Sequence, residues 1–205
     1  MYVNLDSPSR RARSELRTQL RETVRLRILD AAEELIAARG VSRAGLAQIA
    51  KRAGVAVGTL YNYFTDRDAL LRALFDSRRA VVRAQLRAAT ASGKELAFEP
   101  RLRRFVGELL EVCERHRRFL KVAIEAEHAR LSPSTTPQDI HAALVEIVEA
   151  GVAEKAVARA NAALLPVLIA GALKAVILRR AQEDASFVDE ADPIVSIFLE
   201  GARRR

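Results

Sequence analysis

The chain has 205 residues, half of them hydrophobic and 29% charged, a balance that supports a buried core and excludes a disordered or collagen-like chain. A single cysteine, Cys113, excludes an intramolecular disulfide and suits a reducing compartment. No charged-then-apolar leader opens the sequence, and the longest uncharged apolar run, Ala162 to Leu173, falls short of the roughly 20 residues a membrane helix needs. A soluble, cytoplasmic protein without a membrane partner is therefore expected. The net charge of +8 is uneven: residues 1–80 hold 15 Lys/Arg against 9 Asp/Glu, and residues 81–205 hold 19 against 17. The first part of the chain thus calls for an anionic partner, nucleic acid being the usual one.

Apolar residues recur at helical spacing nearly everywhere, with no strict alternation, so the fold expected is all-α. Residues 1–20, with Arg10, Arg11, Arg13 and Arg17, read as a flexible basic arm. A helix over about Glu22–Arg39 follows, its stripe formed by Val24, Ile28, Ala31, Ala32, Leu35 and Ile36, with Gly40 as its stop. Short helices are expected over about Leu46–Ala53 and Val57–Phe64, joined by a turn at Gly54. Thr65-Asp66-Arg67-Asp68 has the form of a capping box with Thr65 at the N-cap, opening a long helix that ends near Ser92-Gly93.

The remainder is also helical in pattern. Leu102, Phe105, Val106, Leu109 and Cys113 form one stripe, continued over Phe119 to Leu131 after the cationic patch Arg115–Arg118; residues 132–137 read as a loop. Ile140, Ala143, Leu144, Ile147 and Val148 mark the next helix. The segment of about Ala160–Gln182 is apolar nearly all round, so both its faces should be buried. Asp192-Pro193 supplies an N-cap and an N1 proline for a last helix bearing Ile194, Ile197 and Phe198.

Two short helices joined by a tight glycine turn form a helix-turn-helix pattern, which needs small residues at the crossing and a polar or small outward face on the second helix. Ala50 and Gly54 meet the first need; Val57, Gly58, Thr59, Asn62 and Tyr63 face outward, and Leu60 and Phe64 inward. Such a helix can enter the major groove, its N-terminal residues nearest the base edges.

The string from Ile49 to Phe64, followed by Asp66-Arg67-Asp68-Ala69-Leu70-Leu71 and preceded by Ala31-Ala32-Glu33-Glu34-Leu35 and Gly40, resembles the TetR family of bacterial transcriptional regulators over residues 21–75. The resemblance implies a three-helix DNA-binding domain over 21–68 and a larger helical effector-binding and dimerisation domain over 69–205. It further implies a homodimeric repressor of an inverted-repeat operator in double-stranded DNA, released by a small-molecule effector, and neither an enzyme nor a cofactor protein. By position, the DNA-contacting residues would be Gly45, Leu46, Gln48, Lys51, Val57, Gly58, Thr59, Tyr61, Asn62, Tyr63 and Arg67. Tyr61, Tyr63 and Arg67 would touch phosphates, and Val57, Gly58 and Thr59 would approach the bases. Gly45 replaces the family's usual Ser/Thr cap, and Val57 a polar residue, which moves specificity toward apolar contacts and DNA shape.

Candidate effector-pocket residues are Phe105, Leu109, Cys113, Phe119, Ile124, His128, His141 and Leu144, against the plainer reading that they are core. Leu168, Gly171, Ala172, Ala175, Leu178, Ile194, Ile197 and Phe198 are the candidate dimer interface. Two alternatives stay open. One is a metal-binding helical sensor or enzyme using Cys113, His116, Glu125 and His128, whose one-turn spacings are geometrically suitable for ligation. The other is a non-specific DNA-binding protein.

Overall fold

The computed structural model describes residues 8–128, 138–183 and 185–202. It contains nine α-helices among those residues: α1 (Pro8–Arg39), α2 (Leu46–Ala53), α3 (Val57–Tyr61), α4 (Arg67–Ala91), α5 (Phe98–Arg115), α6 (Arg117–His128), α7 (Gln138–Ala153), α8 (Leu165–Glu183) and α9 (Ala191–Ala202). Short 3-10 turns at Val41–Arg43, Arg159–Asn161 and Val188–Glu190 join some of them, and no strand occurs among the described residues. The chain divides into two compact units, Met1–Asp76 and Ser77–Arg205, with the boundary inside α4.

The first unit is built on α1. Ile28, Leu29, Ala31, Ala32 and Ile36 are buried, and the helix packs along α2. The segment expected as an irregular arm is helical from Pro8 onward. Proline suits a first helical position, and Arg, Glu, Leu and Gln then favour the helix without needing a packed face. Residues 1–7 lie outside the described part.

The starts of α4 and α9 also differ from the sequence expectation. At α4 the cap is Asp66, not Thr65: Asp66 Oδ1 accepts the Ala69 N–H at 2.6 Å, while Thr65 Oγ1 donates to Asp66 Oδ2 at 3.1 Å. The Ala69 N–H, and secondarily the Thr65 hydroxyl, hold the Asp66 carboxyl below its usual range. α9 starts at Ala191, so Asp192 sits within the first turn, where it accepts from Arg103 Nη1 at 3.0 Å.

In the second unit α5, α7, α8, α9 and the end of α4 enclose one apolar core that includes Leu86, Phe98, Leu102, Leu109, Leu144, Ile169 and Phe187. Helices α7 and α5 meet closely at Gly151, where a Cβ would stand 2.5 Å and 2.7 Å from two Phe98 ring atoms and 2.9 Å from Val157 Cγ2. The N-terminus of α5 is closed by Glu154, whose carboxylate accepts the Phe98 N–H at 2.9 Å. Arg101, only 7% exposed, pairs with Glu146 at 2.8 Å, and Lys94 reaches the same carboxylate at 3.2 Å. The Arg101 hydrogen bond, then that of Lys94, lowers the Glu146 pKa.

The connection between α8 and α9 is held from the α5–α6 junction. Glu114 accepts the Phe187 N–H at 3.0 Å and pairs with Arg117 at 2.9 Å. Arg117 donates to the Ala185 carbonyl and stands over the fully buried Phe187 ring, 4.9 Å from its centroid.

α8 departs from expectation in start and in burial. Residues 159–161 form a 3-10 turn and the helix begins at Leu165, with Pro166 in the first turn where its missing N–H costs nothing. Ile169 and Leu173 are buried, but Leu164, Val167 and Leu168 remain 59%, 52% and 49% exposed. Both faces are therefore not covered within one chain. Among the described residues no helix is long and apolar enough to cross a membrane.

Candidate nucleic-acid interface

The site is assembled by α2, the turn at Gly54 and α3. Helix α2 ends on Gly54 in the left-handed region (φ 69°, ψ 34°), its N–H returning to the Ala50 and Lys51 carbonyls. A residue with a Cβ is disfavoured in that conformation, which explains the turn glycine physically. Ile49, Ala50 and Ala53 are buried, so Gln48 and Lys51 lie on the opposite, exposed side of α2. The other end begins at Gly45, in an extended conformation with no side-chain cap. A Cβ there would meet nothing within 4 Å. Leu46, the first residue of α2, is half-buried.

Helix α3 has a clear division of sides. Leu60 is fully buried and Phe64 nearly so, whereas Val57 is 42% and Tyr61 50% exposed. Gly58 and Asn62 are exposed, and Thr59 and Tyr63 half-buried. The helix ends at Tyr61 instead of Phe64; the N–H groups of Tyr63 and Phe64 both return to the Leu60 carbonyl in a turn. Asn62 and Tyr63 are thus presented from the turn after the helix. Tyr61 is oriented outward, which sets aside a purely core role for its ring.

Arg67 opens α4 and has a structural partner: its guanidinium donates to the Val41 carbonyl. With five N–H donors available, this bond ties the turn at Val41–Arg43 to the start of α4 and leaves donors for an anion. Two further contacts were not legible in the sequence. Arg21 of α1 stands over the Tyr63 ring, 5.8 Å from its centroid, and Arg52 of α2 pairs with Glu34 of α1 at 2.6 Å. Neither partner is at a spacing that sequence pattern reveals.

The candidate effector residues divide differently. Phe105, Leu109, Cys113 and Leu144 are buried members of the packed core, and Ile124 lies partly buried against it. Phe119 is buried and His141 is exposed; the His128 side chain lies outside the described residues. Of the residues in the metal alternative, Cys113 is buried, and burial pushes its thiol up to about 12. His116 Nε2 is 3.2 Å from Gln85 Oε1, and no group of three potential ligands occurs among the described residues.

On the candidate dimer face, Leu168, Gly171, Ala175 and Ile197 are exposed, Ile197 by 70%, and Ala172, Leu178 and Phe198 are half-buried. Ile194 is an exception: it is buried in the protomer's own core, because it falls on the side of α9 turned to α5. Leu164 and Val167, at helical spacing from Leu168 and Gly171, extend the exposed apolar face and belong with it.

The model of bacterial regulatory proteins of the tetR family matches residues 28–74, the stretch that contains the buried stripe of α1, α2, α3 and the capped start of α4. The fatty acid metabolism regulator protein of Bacillus subtilis is 43% identical over 53 residues, 26% of this chain and 27% of that protein. The chain therefore matches only about a quarter of that relative's length. The similarity of fold is wider. The fatty acid degradation regulator FadR of Bacillus halodurans superposes with a TM-score of 0.70 at 24% identity, over 89% of this chain and 97% of the other. FadR of Bacillus subtilis, solved with stearoyl-CoA, gives a TM-score of 0.65 at 21% identity over 86% and 98%. The tetR-family sequence signature thus lies on the helix-turn-helix segment of this chain, and the likeness of fold to these structures extends over most of the rest.

Proposed function

We propose that the protein is a homodimeric repressor that reads an inverted-repeat operator through α2 and α3 and leaves it when an effector enters the second unit. One observation carries the DNA reading: α3 buries Leu60 completely while presenting Val57, Gly58 and Tyr61 outward. A short helix fixed from behind and small in front is suited to the major groove. In this reading Thr59 and Asn62 hydrogen-bond base edges, Val57 meets thymine methyls, and Gln48, Lys51, Tyr61, Tyr63 and Arg67 contact the backbone. The first turn of α2, at Gly45 and Leu46, offers its N–H groups to a phosphate.

Dimerisation rests on the α8–α9 face, where Leu164, Val167, Leu168 and Ile197 stay about half exposed or more. An effector must bind the DNA-incompetent state more tightly, since equal affinity for both states shifts nothing. The effector class supported best is an acyl thioester of coenzyme A, because stearoyl-CoA accompanies the similarly folded FadR and the second unit's interior is apolar.

Selection of random duplex DNA by the purified protein at a fixed salt concentration tests the reading. Enrichment of an inverted repeat with half-sites about one helical turn apart, and its release by a long-chain acyl-CoA, is the expected result. Salt-sensitive retention with no motif would replace it with non-specific binding.

A further inference from the structure

We infer that the N-terminal turns of α1 form a second DNA-contacting element, in which Arg13, Arg17 and Arg21 track phosphates flanking the half-site read by α3. The inference rests on the operator-binding reading above and adds residues outside the helix-turn-helix.

Register is the first part of the argument. At 3.6 residues per turn, positions seven or eleven apart share a side of a helix. Arg21 precedes the buried Ile28 by seven residues, Arg17 precedes it by eleven, and Arg13 precedes Val24 by eleven. The arginines therefore continue, toward the N-terminus, the same side of α1 that packs on the helix-turn-helix. Glu15 falls on the opposite side, away from Arg17.

Contact is the second part. Arg21 stands over the Tyr63 ring, in the turn that closes α3, so this side of α1 adjoins the reading surface at that point. The preceding two turns carry Arg17 and Arg13, both exposed, on a helix that has left the body of the first unit. Arg13 and Arg17 form no ion pair among the described residues. An exposed arginine row contiguous with the proposed DNA-reading face is complementary to the duplex extending past the half-site. From Arg13 to Arg21 the helix rises about 12 Å, equivalent to roughly 3–4 base pairs at 3.4 Å each. Leu16 and Leu20, 56% and 57% exposed, flank the row. They make an anionic membrane surface the rival partner.

The test uses the full-length protein and the selected operator in two forms, trimmed to the inverted repeat or extended by five base pairs on each side. Binding is titrated across salt for wild type, for Arg13→Ala/Arg17→Ala, and for Arg13→Lys/Arg17→Lys. Alanine preserves helix propensity. Wild type should bind the extended duplex at least tenfold more tightly than the trimmed one. The alanine variant should lose that gain, and its salt slope on the extended duplex should fall by about 3.6 for four lost phosphate contacts per dimer. The lysine variant should keep the slope. Equal affinity of wild type for both duplexes, or an alanine variant with unchanged slope, overturns the inference while leaving the operator reading intact. Failure of wild type to select any duplex overturns both. Sedimentation with phosphatidylserine vesicles that is lost in Leu16→Ser/Leu20→Ser, together with an unchanged slope in the arginine variants, assigns the helix to membranes instead.

Discussion

If the α8–α9 face joins two protomers as proposed, Ile197→Arg should separate them, and the size of the effect follows from exposure. Ile197 is 70% exposed, and Leu164, Val167 and Leu168 about half so. A large aliphatic side chain contributes about 1.5–3 kcal/mol when taken fully out of water, so covering the remainder of Ile197 contributes roughly 1–2 kcal/mol per copy. The four residues in both protomers together give a gross gain of about 9 kcal/mol. That lies within the roughly 4–15 kcal/mol lost in translational and rotational freedom on association, so the proposed dimer would have little surplus. Removing two isoleucines takes away about 2–4 kcal/mol, a 30- to 700-fold rise in Kd at 1.4 kcal/mol per decade. Burying a guanidinium in the same place adds to it. Sedimentation equilibrium across a concentration series reads the constant, with far-UV circular dichroism to establish the fold. Val145→Arg, at an exposed position of α7, is the control. A folded Ile197→Arg protein with the wild-type association constant would refute α9 as interface.

Other outcomes are equally concrete. Gly151→Ala should lower thermal stability by about 1–2 kcal/mol, because overpacking against Phe98 and Val157 exceeds the helix-propensity gain. Gly107→Ala, where a Cβ meets nothing within 4 Å, should raise it, and matching signs in the two melts would contradict the packing account. Arg67→Ala should reduce the salt slope of DNA binding by about one unit per protomer and also lower the melting temperature, since the bond to the Val41 carbonyl is lost; an unchanged slope removes Arg67 from the phosphate contacts. Cys113, buried and with its thiol pushed up to about 12, should resist iodoacetamide at pH 8 until guanidinium unfolds the chain, and prompt stoichiometric alkylation of native protein would show otherwise. Glu146 has a pKa lowered from 4.5 in the folded state, so its stabilising contribution is complete above 4.5 and is lost as pH falls through the lower native value. Acid titration of wild type against Glu146→Gln should show the stability difference shrinking below pH 4.5; a constant difference would place the effect elsewhere.

What the sequence conveyed depended on the range of the interaction involved. The limits of α2 follow from a periodic stripe and a turn glycine, both local, and the structure has them at Leu46 and Ala53. The outward side of α3 follows from the same register. The first turns of α1 were missed because they bury nothing: without an apolar stripe only propensity speaks for a helix, and an arginine-rich stretch resembles an arm equally well. Asp66 was displaced by one position as a cap because Thr65 and Asp66 both suit the role and only the backbone chooses between them. Ile194 and Ile197 look alike three residues apart, yet one enters the protomer's core and the other faces out. Glu114, Arg117 and Phe187 form their cluster across some seventy residues, and no periodicity encodes such a contact.

Gly45 and Gly58 give the reading surface a capacity for change. At both positions a Cβ would meet nothing within 4 Å, and neither holds a positive φ, so the backbone accepts other residues without strain. Both stand on the surface proposed to meet DNA, while Leu60 and Phe64 are buried behind it. Specificity and foldability are thus carried by separate atoms. If α3 reads DNA as proposed, a duplicated copy of this chain can acquire a new base preference through one substitution at Gly58, and a new backbone contact through one at Gly45, without first recovering lost stability, a property that would allow a lineage of regulators to diversify in small viable steps.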